Sequence, residues 1–215
     1  MGLGASVRKK LGRFEQPAID LYRGLFISVD ELARIMSEAL PAPKLVGEIG
    51  CGDGSVVNAM APRWPSAHFI GVDPTPNAGR LYAGDEERAE FRDATSSALL
   101  GEFAGEFDAT VLVDVLHHVQ DDQRLAVLKD AAALTAPGGT VVFKEWEKRS
   151  GLPYLLAYGA DRYVSGDATV RFMDRPELEG LIGTAMPGWE AVLETSVPPR
   201  RNNLLWILRK PSTQE

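Results

Sequence analysis

Apolar and polar positions along this chain switch repeatedly between short unbroken apolar runs and stretches of helical period. The apolar runs predict strands from residue 45 and over 67–72, 90–92, 107–113 and 140–143. Between and after them, helices are predicted over 56–60, near 78–87, and over 122–134 and 176–186. Alternation of strand and helix with little interruption is typical of a mostly parallel sheet that is covered on both faces.

Two further strands are predicted near the end of the chain, over 189–196 and 204–209. The polar, proline-rich connection between them is too short for a helical crossover, so we expect an antiparallel hairpin. The expected fold class is therefore α/β, a Rossmann-like, doubly wound, mostly parallel seven-stranded sheet with a C-terminal antiparallel hairpin. Residues 44–215 should form this domain.

The N-terminal region has a helical pattern from 16 to 40. Ser28 and Glu31 have the spacing of a capping box, and Pro41 ends the pattern. Because these helices precede the first strand, we expect residues 1–43 to form a helical lid over the crevice at the carboxyl ends of the strands.

The first strand runs into closely spaced glycines, Gly50, Gly52 and Gly54, and then into a helix. Glycine has no Cβ and adopts positive φ readily, so the backbone of such a turn can lie directly against a ligand. This turn is the predicted cofactor site.

Composition limits the partners. The 215 residues are 45% hydrophobic, and 30 Asp+Glu against 23 Lys+Arg give a net charge of -7, which argues against nucleic-acid binding. One cysteine excludes an internal disulfide, and no apolar stretch approaches the roughly 18 residues of a membrane span. We expect a cytoplasmic monomer or homodimer that acts on a small molecule and binds no metal or membrane.

Several motifs at compatible spacing resemble those of class I S-adenosylmethionine-dependent methyltransferases, the seven-stranded Rossmann-like family. They are EIGCGDG at 48–54, GVD at 71–73, RDA at 92–94, VDVLHHV at 113–119 and LTAPGG at 134–139. A dinucleotide-binding dehydrogenase is the natural rival. Its fingerprint would need glycine at Ser55, whereas this chain has Gly54.

The resemblance implies S-adenosyl-L-methionine as the cofactor. Gly50, Cys51 and Gly52 would admit its methionine part, and Glu48 would lie near its cationic groups. Asp73 would accept hydrogen bonds from the ribose hydroxyls, a role that suits an acceptor-only carboxylate. The remaining implied contacts are Asp93, Ala94 and Pro74 with the adenine and Asp114 with the cofactor or its loop.

The candidate catalytic residues are His117 and His118 in the loop after the fourth strand. Removing a proton from the acceptor suits an imidazole, which titrates near neutral pH. Neighbouring residues in an extended segment point in opposite directions, so we expect His117 to face the substrate and His118 to pack behind it. The alternative is that neither histidine reacts and that positioning alone suffices.

An aromatic-rich segment near 146–172 resembles the substrate-covering insertion of small-molecule methyltransferases, and it would equally suit a packed lid without ligand contact. The expected function is methyl transfer to an oxygen or nitrogen of a small, aromatic or apolar metabolite. The alternatives are a protein or RNA methyltransferase, or a protein that binds the cofactor for another reaction.

Overall fold

The computed structural model describes residues 28–148, 170–199 and 202–212, and these ranges contain one seven-stranded sheet. The strands are β1 Leu45–Ile49, β2 His68–Asp73, β3 Ala89–Asp93, β4 Phe107–Val113, β5 Thr135–Trp146, β6 Glu190–Ser196 and β7 Asn203–Arg209. Their order across the sheet is β3-β2-β1-β4-β5-β7-β6. Strands β1 to β5 are mutually parallel, and β7 pairs antiparallel with both β5 and β6. The predicted α/β sheet and its C-terminal antiparallel hairpin are confirmed.

Helices cover both faces of this sheet. They are α1 Val29–Ala39, α2 Ser55–Met60, α3 Leu100–Phe103, α4 Arg124–Leu134 and α5 Arg175–Ala185. Buried side chains of α1 and α2 pack with one face, around Val46, Val111 and Val142. Those of α4 and α5 pack with the other, around Leu112 and Phe143. Burial of the apolar surface between these layers is the main stabilising contribution to the fold.

Two local predictions are wrong. The helix near 78–87 is absent, and turns followed by a 3₁₀ helix at Glu86–Arg88 take its place. This segment binds back to the glycine turn, because Gly79 N–H donates to the Gly52 carbonyl at 2.9 Å and has φ +71°. Strand β5 is also longer than the predicted 140–143, and its extension reaches Trp146.

The described part of the predicted N-terminal lid is a core helix. In α1, Leu32, Ala33 and Met36 are buried against the sheet, so this segment does not cover the crevice as expected. Ser28 caps it, while the Glu31 carboxylate binds Arg34 and does not complete the capping box. Residues 1–27 lie outside the described ranges, and a lid formed by them stays a prediction.

In the part of the chain that the structure describes, no helix combines the length and the apolar character needed to cross a membrane.

Candidate active site

The predicted site residues follow the ends of neighbouring strands. Asp93 ends β3, Asp73 ends β2, the glycine turn follows β1, and Asp114 follows β4. Because these strands are parallel and adjacent, their carboxyl ends meet at one edge of the sheet. The fold therefore brings the predicted residues together along one crevice.

The glycine turn is fixed by main-chain hydrogen bonds to β2. The N–H groups of Gly50 and Cys51 both donate to the Val72 carbonyl, at 2.7 and 3.0 Å. Gly52 has φ +52°, and a Cβ built on it would meet no atom within 4 Å. The turn thus has the left-handed backbone that favours glycine, and it borders open space at Gly52.

Asp73 couples the turn to the end of β2. Its Oδ2 accepts from Gly52 N–H at 3.0 Å, and its Oδ1 accepts from the N–H and hydroxyl of Thr75. A carboxylate oxygen has two lone pairs, so Oδ2 retains capacity for one further donor. Binding two ribose hydroxyls, as the resemblance implies, requires Thr75 to release Oδ1.

Asp93 and Ala94 are engaged within the protein. The Asp93 carboxylate accepts from the N–H groups of Ala78 at 2.8 Å and Asn77 at 3.1 Å, and these bonds lower the pKa of Asp93. Ala94 N–H donates to the Asp73 and Arg92 carbonyls. Pro74 is exposed beside them. To donate to an adenine nitrogen, the Ala94 amide would have to leave these carbonyls, and the adenine contacts stay a prediction.

Glu48 and Cys51 lie inside the protein. Glu48 is 1% exposed in β1, between Gly71 of β2 and Val111 of β4. Burial, with the negative charges of Glu48 and Asp73, raises the pKa of the Cys51 thiol far above its usual range. Cys51 is therefore a protonated thiol that contributes packing and a main-chain amide.

Asp114 adopts φ +57°, an uncommon backbone conformation for a residue other than glycine. Both of its carboxylate oxygens lie 2.6 Å from Nζ of Lys144, whose side chain is fully buried in β5. Asp114 N–H also donates to the Lys144 carbonyl at 3.0 Å. This double attachment holds the start of the loop after β4 against β5.

The predicted burial of His118 behind His117 is wrong, while the role of His117 toward a substrate stays a prediction. His117 is 3% exposed, and its Nδ1 bonds Oε1 of the fully buried Glu145, whereas His118 is exposed. The cause is the 3₁₀ turn at Leu116–His118, which replaces the extended segment assumed from the sequence. The His117 ring stacks on the Phe172 ring, with 4.7 Å between their centroids. The centroid of the His118 ring lies 4.1 Å from that of His117.

Lys144 and Glu145 are the site residues that sequence reasoning missed. The predicted strand ends at residue 143, so it leaves both residues outside the sheet. The available signal was a pair of charged residues directly continuing an apolar run. Charges in a buried strand require partners, and those partners were candidates already at hand, Asp114 and His117.

The ligand atoms of Asp114, His117 and Glu145 lie within 4.8 Å of one another, a separation at which one cation can interact with all three. One of the three residues already has a cationic partner, because Lys144 Nζ contacts both oxygens of Asp114. The donor set thus has an internal positive charge.

The loop with the histidines is also held from the opposite side. Arg171 N–H donates to the His117 carbonyl at 2.9 Å, and the buried Arg124 guanidinium donates to the Val119 and Arg171 carbonyls, each at 3.0 Å. Residues 149–169, most of the predicted insertion, lie outside the described ranges. Their substrate-covering role stays a prediction.

Comparison with known proteins gives a consistent family. A family model described as "Methyltransferase domain" matches residues 21–185. Ubiquinone biosynthesis O-methyltransferases from Acinetobacter baylyi and Azotobacter vinelandii are 32% and 33% identical over 126 and 127 residues, 57% of this chain and 52% and 53% of theirs. The chain thus spans about half the length of these relatives.

Solved structures share the fold at lower identity. A Burkholderia thailandensis 1,6-didemethyltoxoflavin-N1-methyltransferase, solved with that compound and S-adenosylhomocysteine, is 20% identical with a TM-score of 0.66 over 96% of this chain and 88% of its own. A mitomycin 7-O-methyltransferase is 15% identical with a TM-score of 0.69 over 94% and 57%.

Proposed function

The chain belongs to the class I family of S-adenosylmethionine-dependent methyltransferases, and from that premise we propose that it methylates a hydroxyl oxygen of a small molecule. The O-methyltransferase names of the relatives at 32% and 33% identity support oxygen. A nitrogen acceptor is the alternative, since the same transfer serves both atoms. The acidic net charge of -7 supports a small acceptor over RNA.

The observation that carries this proposal is the glycine turn bound to Asp73. The open space at Gly52 and the remaining acceptor capacity of Asp73 Oδ2 fit a ligand with hydroxyl groups next to a backbone that it can approach closely. S-Adenosylmethionine has that character in its ribose and methionine parts. The residues present therefore fit the cofactor of the family.

We assign the cofactor contacts by strand. The residues that would hold it are Glu48, Gly50, Cys51 and Gly52 for the methionine part, Asp73 for the ribose, Pro74, Asp93 and Ala94 for the adenine, and Asp114 for the adjoining loop. When bound, the cofactor supplies an electrophilic methyl carbon, and the acceptor oxygen bonds to that carbon while sulfur keeps the electron pair of the broken bond.

The protein has two tasks in this reaction. It must align the acceptor with the methyl group, and it must take up the hydroxyl proton. The loop at 114–118, with His117 and His118, would do both at the edge next to the glycine turn. Residues 44–215 would form the catalytic domain, with residues 1–27 and the 146–172 insertion closing over the acceptor.

Calorimetry with S-adenosylmethionine and S-adenosylhomocysteine tests the cofactor directly. We expect both compounds to bind. In a separate turnover assay with S-adenosylmethionine, we expect S-adenosylhomocysteine to form when phenols, catechols or heteroaromatic amines are offered as acceptors. Absence of affinity for either compound would refute the proposal. Turnover with the amines but not with the phenols or catechols would show that the acceptor atom is nitrogen.

A further inference from the structure

The hydrogen bonds of the Asp73 carboxylate leave it with one free acceptor position. A carboxylate has about four such positions, two lone pairs on each oxygen. Oδ1 accepts from the Thr75 N–H at 2.8 Å and also from the Thr75 hydroxyl. Oδ2 accepts from Gly52 N–H at 3.0 Å. Both lone pairs of Oδ1 are therefore taken by Thr75, and the free position is on Oδ2.

Thr75 lies between two prolines, Pro74 and Pro76. A proline ring fixes its own φ, and it keeps the preceding residue out of the helical region. Because Asp73 and Thr75 each precede a proline, the whole stretch from 73 to 76 has little backbone freedom. Threonine is also β-branched, which restricts χ1. The two Thr75 donors are therefore held towards the carboxylate by a stiff chain.

The far end of this segment is fastened as well. The N–H groups of residues 77–78 donate to the Asp93 carboxylate at 3.1 and 2.8 Å, and Gly79 N–H donates to the Gly52 carbonyl at 2.9 Å. To move Thr75 away from Oδ1, the chain would have to break these bonds or change a φ that a proline fixes. The fold thus opposes the release of Oδ1 to a ligand.

The free position on Oδ2 is next to the open side of the glycine turn. Gly52 donates to this oxygen, and a Cβ built on Gly52 would meet no atom within 4 Å. One ligand hydroxyl can therefore donate to the carboxylate while every bond that the protein makes to it stays intact. A second hydroxyl would have to displace a protein donor.

We propose that Thr75 is a specificity-determining residue that restricts Asp73 to one of the two ribose hydroxyls of the cofactor. The other ribose hydroxyl makes no bond to this carboxylate. The proposal rests on the proposed function for the identity of the ligand. It departs from the resemblance, in which the acid after the second strand accepts from both hydroxyls.

Calorimetry with S-adenosylhomocysteine and its 2′-deoxy and 3′-deoxy forms tests the proposal. For the unmodified protein, we expect one deoxy compound to bind roughly 10-fold or more weakly than the parent, because a hydrogen bond to a charged group is lost. The other should bind within about twofold of the parent, because its missing hydroxyl has no bond to lose. Similar losses for both compounds, or no loss for either, would overturn the proposal.

The informative variant is Thr75→Ala, which removes the hydroxyl and opens a second acceptor position on Oδ1. Thr75 is exposed, so the change removes no buried contact. We expect S-adenosylhomocysteine to bind roughly 3- to 10-fold more tightly, because its second ribose hydroxyl gains a bond. Both deoxy compounds should then bind more weakly than the parent. A variant that treats the three compounds as the unmodified protein does would contradict the role of Thr75.

Two matched variants serve as controls. Thr75→Ser keeps the hydroxyl and should keep the preference of the unmodified protein for one deoxy compound. Thr184→Ala removes a hydroxyl that donates to the Gly180 carbonyl on the exposed side of α5, and it should change none of the affinities. Failure of the proposed function gives a different result, namely no affinity for S-adenosylhomocysteine in any of these proteins.

Hydrogen exchange of the Thr75 amide, followed by NMR without any ligand, tests the occupied Oδ1 directly. We expect slow exchange in the unmodified protein, since this amide is bonded to Asp73, and faster exchange in Asp73→Ala. Equal exchange rates in the two proteins would overturn the inference whatever the ligand is. Faster exchange of the Thr75 amide on addition of S-adenosylhomocysteine would also overturn it, because the cofactor would then displace Thr75.

Discussion

The two halves of the candidate site are built in different ways. In the glycine-loop region, Gly50, Gly52 and Asp73, the candidate binding surface is mostly main chain, shaped by positive φ and hydrogen bonds between neighbouring strands. In the β4–β5 region, Asp114, His117, Lys144 and Glu145, it consists of charged side chains that compensate one another inside the protein.

This difference predicts different responses to mutation. In a site built mostly from main chain, changing one side chain can remove a contact with the ligand. The main-chain hydrogen bonds that shape the site stay in place. A set of buried charges is interdependent, so removal of one partner leaves the other unpaired in a medium that solvates it poorly. Mutations in the glycine-loop region should therefore mainly weaken cofactor binding. Mutations in the β4–β5 region should mainly lower the free energy of unfolding.

The largest expected effect is that of Asp114→Asn on folding. Asparagine tolerates the positive φ of this position and is nearly the same size, so the change mainly removes charge. It leaves the fully buried Lys144 ammonium without its carboxylate, and we expect the free energy of unfolding to fall by about 3–5 kcal/mol. Urea denaturation measures this loss.

The double variant Asp114→Asn with Lys144→Met should regain most of that stability, because the unpaired charge is gone. Glu31→Gln is the control, since it removes a carboxylate from a partly exposed pair with Arg34 and should change the free energy of unfolding little. An Asp114→Asn protein as stable as this control would show that the β4–β5 charges are not interdependent.

A smaller effect is expected for Asp73→Asn, in the glycine-loop region. The amide still accepts through one oxygen but loses the charge-assisted acceptor, so affinity for S-adenosylhomocysteine should fall roughly 10- to 100-fold. Calorimetry measures this, with Asp30→Asn on the exposed side of α1 as the control. Unchanged affinity in Asp73→Asn would remove this carboxylate from the cofactor site.

The contrast also explains what the sequence could predict. Glycine spacing and an acid after the next strand are local signals, so the turn and Asp73 were found, and the match of the family model confirms the resemblance that they carried. The pairs Asp114–Lys144 and His117–Glu145 join residues 30 and 28 positions apart in sequence, and their meeting depends on the register of β4 with β5. A strand predicted to end three residues early concealed them.

The burial of His118 was predicted wrongly for a related reason. Alternation along an extended segment was the only rule available for residues 117 and 118, and the 3₁₀ turn breaks it. That turn is stabilised by the Glu145 bond to Leu116 N–H, a contact from another strand. Tertiary context therefore decided which imidazole is buried.

The smallest expected effect is that of metal removal. Asp114, His117 and Glu145 have the donor atoms and the spacing of a cation site, but both oxygens of Asp114 already bind the Lys144 ammonium. A divalent ion would have to compete with the buried Lys144 ammonium for the Asp114 carboxylate. We therefore expect dialysis against EDTA, followed by assay with and without added Mg²⁺, to leave turnover and the unfolding midpoint unchanged.

Loss of turnover on dialysis against EDTA and its recovery with Mg²⁺ would mean that Mg²⁺ takes the place of the Lys144 ammonium in the β4–β5 region. The proposed proton uptake by His117 would then fail, because the metal and the proton would compete for the same donor set.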